Sequence, residues 1–211
     1  VGPSLTPTNT PTNTSTPTNT ATFTATPTAS NTPTATNTFT PTATLSSSSQ
    51  SLYLSLDGGG TVGGVSAEDV DIVYFNGTTW SMFFDASDVG ISTSGQDVND
   101  FYIVDSDTLL LTFNAPITLG GTLAVDPWDV VQFDATSLGS NTAGTFSLYL
   151  DGNDVGLDTN NEYIDGLHVL SDGRVLISTM GDPSVPGVTG ADEDVLAFTP
   201  TSLGDVTSGS W

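Results

Sequence analysis

The chain has 211 residues but no cysteine and only one basic residue, Arg174, against 24 acidic residues. Without cysteine it forms no disulfide bond, no thiolate metal site and no thiol nucleophile. Without more Lys or Arg it cannot neutralise the phosphates of a nucleic acid or an anionic membrane surface, so we expect neither partner. The formal net charge of −23 favours solubility and hard divalent cations such as Ca²⁺, which take oxygen ligands.

Long apolar runs are missing as well. No stretch approaches the ~20 apolar residues that a bilayer-spanning helix needs, so the sequence predicts no membrane span. The N-terminus, Val1-Gly2-Pro3, has neither the basic region nor the apolar region of a signal peptide. An exported form of the protein would therefore be a mature or trimmed one.

The composition changes sharply near residue 50. No charged residue precedes Asp57, and the residues before it are mainly Thr, Pro, Asn, Ala and Ser. Such a change of composition marks a boundary between two regions of different character. We predict an extended Thr/Pro-rich arm over residues 1–50 and an acidic domain over residues 51–211.

The arm follows a two-residue repeat. From Thr6 to Thr44 every even position is threonine except Ser30, and every proline lies at an odd position. A period of two is the side-chain period of an extended strand, so the hydroxyl groups would line one face. The N–H donors that proline lacks would fall on one edge only, which suits an edge strand. The alternative is a polyproline-II linker, extended at about 3.1 Å per residue.

An uncharged Thr/Pro tract buries too little apolar area to offset the entropy of ordering it. We therefore expect covalent glycans on the threonine row, or docking of the arm onto neighbouring copies, to hold it. The N-glycosylation pattern Asn-x-Ser/Thr occurs at Asn13 and Asn76. The predicted O-glycosylation sites are Thr6, Thr8, Thr10, Thr12, Thr14, Thr16, Thr18, Thr20, Thr22, Thr24, Thr26, Thr28, Thr32, Thr34, Thr36, Thr38, Thr40, Thr42 and Thr44.

The acidic domain shows a tandem repeat with a period of about 65 residues. Residues 81–91, SMFFDASDVGI, align with residues 147–157, SLYLDGNDVGL. Residues 129–133, DVVQF, align in the same way with residues 194–198, DVLAF. The chain then holds about two and a half units: a partial unit over 51–80 and full units over 81–146 and 147–211.

Each full unit contains four short runs rich in β-branched and aromatic residues, separated by Gly, Asp, Asn and Ser. We predict an all-β domain of about ten antiparallel strands, with sandwich or barrel-like packing. A propeller-like open sheet is the alternative. The incomplete first unit leaves an open edge, and such edges favour head-to-tail assembly. In the last unit the predicted strands are 147–151, 163–170, 174–180 and 194–199, with a tight turn at 171–173.

The densest acidic pattern is Asp-x-Ser/Asn-Asp-x-Gly, which occurs at 85–90 and 151–156. Oxygen-bearing side chains before a glycine resemble a calcium loop, although Val89 and Val155 occupy one ligand position. Turn chemistry, in which Asp side chains bind nearby backbone N–H groups, is the alternative. No cofactor is required on either interpretation, and Ca²⁺ is a candidate. Its candidate ligands are Asp85, Ser87, Asp88, Asp151, Asn153, Asp154 and Glu162.

The sequence offers no constellation of catalytic residues. His168 is alone in a predicted strand, and the acids are spread over the repeats instead of being gathered at one place. We therefore predict a protein without catalytic residues that is not an enzyme. Trp80, Trp128 and Trp211 could form a sugar-binding platform, but aromatic residues on strands more often belong to a core.

The tract TPTNTPT at residues 6–12 resembles the low-complexity stalks of large secreted proteins from environmental filamentous bacteria. The repeats FDASDVGI and LDGNDVGL, at 84–91 and 150–157, resemble tandem β-repeats found beside such stalks. The resemblance implies an extracellular, glycosylated surface filament, with this chain as a structural subunit that assembles head to tail with copies of itself. The alternative is a stalked adhesin or carbohydrate-binding module that recognises glycans, in a Ca²⁺-dependent way.

Overall fold

The computed structural model describes residues 50–91 and 95–211, so the predicted arm, with its threonine row and Asn13, lies outside it except for Gln50. The described residues are all β, which confirms the predicted fold class. Three short 3-10 helices accompany the strands, and no helix in these two ranges is long and apolar enough to cross a membrane. The strands are β1 Leu52–Ser55, β2 Gly60–Val62, β3 Val65–Ala67, β4 Ile72–Phe75, β5 Trp80–Phe84, β6 Val98–Ile103, β7 Thr108–Phe113, β8 Ile117–Leu119, β9 Leu123–Val125, β10 Val130–Ser137, β11 Ala143–Leu150, β12 Ile164–Val169, β13 Val175–Thr179, β14 Ser184–Val185, β15 Val188–Thr189, β16 Leu196–Ser202 and β17 Ser208–Ser210.

Three larger antiparallel sheets contain most of these strands. Sheet 1 has the order β1-β4-β5, sheet 2 the order β6-β7-β10-β11 and sheet 3 the order β12-β13-β16-β17. In sheets 2 and 3 a two-stranded hairpin, β8-β9 or β14-β15, is inserted between the second and third strands, and β2-β3 lies between β1 and β4. The predicted barrel-like closure is absent from the described residues. The sheets are open meanders, as in the propeller-like alternative.

The sheets do not coincide with the predicted units of the sequence repeat. The strand expected at 147–151 was assigned to the same unit as the strands at 163–170, 174–180 and 194–199. Instead, β11 pairs with β10, from Val130 opposite Leu150 to Ser137 opposite Ala143. A short turn joins β10 to β11, which favours an antiparallel hairpin, whereas a longer connection with two 3-10 helices separates β11 from β12. The outer strands of sheets 1 and 2 therefore overlap the start of the next predicted unit.

The tight turn predicted at 171–173 is present between β12 and β13. Leu170 N donates to Arg174 O over 2.8 Å, and Gly173 N donates to Leu170 O over 2.9 Å. Gly173 has a φ of 87°, in the left-handed region that favours glycine. Arg174 Nε lies 3.0 Å from Asp172 Oδ2. Both side chains are exposed, so this ion pair contributes little to stability.

The hydrophobic core has two parts, one on each side of sheet 2. Successive side chains of a strand point to opposite faces. Accordingly, Leu109 and Leu111 of β7 pack with sheet 1, while Leu110 packs with sheet 3. Sheet 2 is therefore buried on both faces, which explains its continuous apolar run. Sheets 1 and 3 each cover only one of its faces.

Candidate functional site

The two Asp-x-Ser/Asn-Asp-x-Gly segments follow the outer strands β5 and β11, where the chain leaves one sheet for the next. Each contains a 3-10 helix, Ala86–Val89 or Asn153–Val155. Each helix ends at a glycine in the left-handed conformation, with a φ of 83° at Gly90 and 86° at Gly156. Other residues are strained there, so the backbone conformation accounts for the glycine of the pattern.

The aspartates of the first segment bind a threonine of the following sheet. Asp88 Oδ2 accepts a hydrogen bond from Thr142 N over 2.8 Å, and Thr142 Oγ1 accepts one from Asp85 N over 2.9 Å. The same hydroxyl donates to Gly139 O over 2.8 Å, and Gly139 N donates to Phe83 O over 2.8 Å. We call Asp85, Asp88 and Thr142 the first threonine latch. It ties the end of β5 to the turn between β10 and β11.

The second segment makes the same bonds one sheet further on. Asp154 Oδ2 accepts from Thr207 N, and Thr207 Oγ1 accepts from Asp151 N, both over 2.9 Å. Thr207 Oγ1 donates to Gly204 O, and Gly204 N donates to Tyr149 O, over 2.9 and 2.8 Å. Asp151, Asp154 and Thr207 form the second threonine latch. Both latch threonines are buried, so their polar atoms need these partners.

A buried aspartate at the start of a central strand reinforces each junction. Asp71 accepts from Glu68 N over 2.8 Å through one oxygen and from Ala86 N over 2.9 Å through the other. Each carboxylate thus closes its own turn and holds the start of the next 3-10 helix. In sheet 2 the equivalent bonds join Asp129 to Asp126 N and Gly152 N, over 2.8 and 2.9 Å.

Asp71 and Asp129 are each only 4% exposed. Burial, together with the nearby carboxylates of Asp151 and Asp126, raises the pKa of Asp129 to about 6, although its two backbone donors oppose the shift. Burial raises the pKa of Asp71 for the same reason. Asp71 and Asp129 therefore each close a turn by accepting from the backbone N–H of the acid three residues before.

Glu162, the most distant of the predicted calcium ligands, has a different role. Its Oε2 accepts from Asp158 N and Thr159 N, both over 2.8 Å, and its Oε1 accepts from Ser184 N over 3.1 Å. Burial alone would raise the pKa of Glu162, but these donors together lower it. The carboxylate therefore caps the helix Asn160–Glu162 and ties it to β14.

The remaining predicted ligands form local turns. Ser87 Oγ donates to Asp85 Oδ1 over 2.7 Å, and Asn153 N donates to Asp151 Oδ1 over 3.1 Å. Among residues 50–91 and 95–211, no three acidic or histidine side chains lie close enough to hold a metal ion together. Asp88, Asp151, Asp154 and Glu162 each accept at least one backbone N–H, whereas the Asp85 carboxylate accepts the Ser87 hydroxyl. Calcium binding stays a prediction.

Asn76 lies in the exposed turn between β4 and β5. Its Oδ1 accepts from Thr78 N and Thr79 N, both over 2.9 Å, and its Nδ2 donates to Thr79 Oγ1 over 3.1 Å. The side chain is accessible but shapes its own turn. N-glycosylation there stays a prediction.

The aromatic residues are dispersed. His168, the isolated histidine, lies edge-on to Tyr102, with 5.1 Å between ring centres. No ring contact joins two tryptophans in the described part of the chain. Each tryptophan instead contacts a different aromatic residue: Trp80 with Phe75 at 5.0 Å, Trp128 with Tyr163 at 5.9 Å and Trp211 with Phe198 at 4.9 Å.

Sequence reasoning missed two equivalent surface grooves, each between a latch segment, an inserted hairpin and an outer strand. The first has a volume of about 480 Å³ and the second about 330 Å³. The signal that could have found them is a repeated glycine, Gly144 in β11 and Gly209 in β17. A Cβ atom at either position would lie 2.5 Å from the ring of Phe133 or Phe198. Only glycine lets these rings lie against the outer strand.

Comparisons of the chain with protein families, with curated proteins and with solved structures found no match. What the protein does has therefore to be inferred from its own residues and from their arrangement.

Proposed function

We propose that the chain is a structural subunit of an extracellular, glycosylated filament, in which copies assemble head to tail. The observation that carries the proposal is the missing strand of sheet 1. Leu52 faces Phe75 in the register in which Leu109 faces Phe133, so β1 corresponds to β7. In sheet 2, β7 also pairs with β6, but among the described residues nothing pairs with the other edge of β1. An open edge is a template for another strand.

The sequence of the arm supports its use in assembly. Its prolines share one parity, so one edge keeps every N–H donor and can pair with a strand. The arm also carries no charge, while the acidic domain carries all of the net −23. An uncharged segment can approach an acidic domain of a second copy without the Coulomb repulsion that two such domains exert on each other.

The acidic residues support a structural role over catalysis. Their carboxylates close turns, cap a helix and hold the latches between sheets, as the bonds of Asp71, Asp88, Asp129 and Glu162 illustrate. Asp71, Asp129 and Glu162 each accept two or more backbone hydrogen bonds, which occupy about half or more of the lone-pair sites of a carboxylate. We therefore assign the chain no catalytic residue.

Electron microscopy and intact mass together test this function. Purified protein should form filaments, and its mass should exceed the 21.7 kDa of the polypeptide through glycans on the arm. A population made only of monodisperse monomers at every concentration would overturn the filament. A mass equal to that of the polypeptide would show that the protein carries no glycans.

The paired grooves favour one second candidate, a carbohydrate-binding module. The second groove is lined by Asp154, Pro186 and Trp211, and an acid beside an aromatic ring is a combination that can bind a sugar. Binding to a glycan array that is lost in Trp211→Ala would support this alternative. A clean array together with filaments in the microscope would reject it.

A further inference from the structure

The junction between sheets 2 and 3 shows how two successive sheets of this protein pack on each other. The face of a sheet that is turned toward the following sheet is called its rear face, and the opposite face is called its front face. On the rear face of sheet 2, Leu110 and Val130 are completely buried. They pack with Val175, Ile177 and Phe198 on the front face of sheet 3. This is how the protein joins two successive sheets.

Sheet 3 repeats this rear face, but there it is open. By strand register Leu176 corresponds to Leu110, and by the alignment of residues 129–133 with 194–198 Val195 corresponds to Val130. Leu176 is half-buried and Val195 is 65% exposed. Together with His168 and Ser178 they line an open cavity of about 280 Å³. An apolar surface of this kind marks a site of association.

Sheet 1 repeats the front face, and there the face is partly open: Val73, which pairs with Leu54, is completely buried, but the residues around it are not. The register places Leu52, Leu54 and Phe75 where sheet 3 has Val175, Ile177 and Phe198. Leu52 is 51% exposed, and Leu54 and Phe75 are half-buried. None of the three belongs to either core cluster. The molecule thus carries both halves of its own internal junction on separate surfaces.

Polar bonds of the internal junction explain why the two open faces suit each other. Three side chains of β6 bind the backbone of β12: Asn99 Nδ2 donates to Ile164 O over 2.7 Å, Asp100 Oδ2 accepts from Leu167 N over 2.5 Å, and Tyr102 Oη donates to Val169 O over 3.0 Å. Sheet 1 has no strand equivalent to β12 in the described residues, so it offers no backbone for such bonds.

Sheet 3 in turn lacks the β6 side chains that make these bonds to Ile164 and Leu167. The residue equivalent to Asp100 is Gly166, and the residue equivalent to Asn99 is Asp165, whose carboxylate already accepts a bond from Ser178 Oγ over 2.7 Å. An unpaired carboxylate or amide at an interface opposes association. Because sheet 3 has no equivalent of the Asp100 carboxylate or of the Asn99 amide, its docking on a sheet that lacks an equivalent of β12 leaves no such group unpaired.

We propose that the rear face of sheet 3 binds the front face of sheet 1 in a second copy of the chain. The inference rests on the proposed filament and names its head-to-tail contact. Because the two surfaces differ, the contact is heterologous and leaves one free surface of each kind at the two ends of every oligomer, so that further copies can add.

Full-length variants with an acid on either face test the contact. Val195→Glu alters the rear face and Leu52→Glu the front face. Val206→Glu is the matched control, since Val206 is 73% exposed in the turn before β17. A charge buried at an interface without a partner opposes association, so we expect the first two variants to raise the concentration needed for assembly at least about tenfold. The control variant should assemble like the wild type.

A mixing experiment establishes the polarity. Neither Val195→Glu nor Leu52→Glu should polymerise alone. An equimolar mixture should form dimers only, because the intact front face of one variant meets the intact rear face of the other. Sedimentation velocity measures this directly. A face that bound its own kind would give dimers in one of the unmixed variants and would overturn the head-to-tail contact.

The remaining outcomes separate this contact from the filament itself. Normal filaments from both variants would reject the contact while the proposed function stands. Monomers from the wild type at every concentration would reject the proposed function. A photo-crosslinker at residue 195 identifies the occupant of the rear face: crosslinked peptides from residues 52–75 of another copy support the proposal, and peptides from residues 1–49 contradict it.

Discussion

Sheets 2 and 3 have the same strand order and the same alternation of apolar residues, yet they differ in burial. Leu110 on the rear face of sheet 2 is completely buried, whereas its equivalent on sheet 3, Leu176, is only half-buried. The side chains are the same, so the neighbouring sheet alone makes the difference. The position of a residue in its strand therefore fixes the face on which it lies, and the next sheet decides what that face contributes to stability.

The largest expected effect comes from truncating this pair of leucines. Leu110→Ala should lower the free energy of unfolding by about 2–5 kcal/mol, because it removes a buried side chain and leaves a cavity. Leu176→Ala should cost less than about 1 kcal/mol in the monomer, because water already reaches that side chain. Urea unfolding at concentrations below assembly measures both. Equal losses would mean that another part of the same chain covers the rear face of sheet 3.

The threonine latches should give a smaller effect. Thr142→Val keeps the shape of the side chain but leaves Asp85 N and Gly139 O without their hydroxyl partner, so it should cost about 1–3 kcal/mol. Thr207→Val tests the same bonds between sheets 2 and 3 and should behave alike. The midpoint of urea unfolding reports both losses.

Asp88→Asn is the matched control for the latch. It keeps an oxygen that can accept from Thr142 N and removes only the charge, so we expect a change below about 0.5 kcal/mol. A loss as large as that of Thr142→Val would show that the charge of Asp88, and not its acceptor oxygen, holds the sheets together.

The latches also show where sequence reasoning stops. The all-β class and the turn at Gly173 could be predicted, since both depend on local alternation and on residues that favour turns. The partner of Asp88 could not, because Thr142 lies 54 residues away and nothing in the pattern distinguishes a carboxylate facing a cation from one facing a backbone N–H. The sheet to which β11 belongs could not be predicted for a related reason: a repeat gives the period of the units but not the residue at which each sheet begins.

The two buried acids of opposite pKa shift give a prediction for pH. The pKa of Asp129 in the folded state, about 6, exceeds the ordinary value, so the folded state binds its proton more tightly than the unfolded state does. Stability should therefore rise as pH falls from about 7 through 6. The pKa of Glu162 is lowered, so its contribution is present above its ordinary value and is lost as pH falls through the folded pKa. The melting temperature should accordingly pass through a maximum in mildly acidic solution.

Asp129→Asn removes the first of these titrations and is the test of its origin. The variant should be less stable overall, because the amide replaces one acceptor with a donor beside the backbone N–H groups. Its melting temperature should no longer rise between about pH 7 and about pH 5. A rise equal to that of the wild type would assign the effect to the net charge of the domain instead.

The smallest expected effect is that of removing calcium. The carboxylates of Asp88, Asp151 and Asp154 accept backbone hydrogen bonds, and that of Asp85 accepts the Ser87 hydroxyl, so we expect chelation with EDTA to leave the melting temperature unchanged. A Ca²⁺ concentration of 100 times the Kd would add about 2.7 kcal/mol to the free energy of unfolding, and removal of the ion would lower the melting temperature by roughly 5–10 °C. A fall of that size would show that the protein binds Ca²⁺, as the calcium-loop pattern predicts. Asp88→Asn and Asp154→Asn would then locate it, because only the variant at the bound turn should lose its response to EDTA.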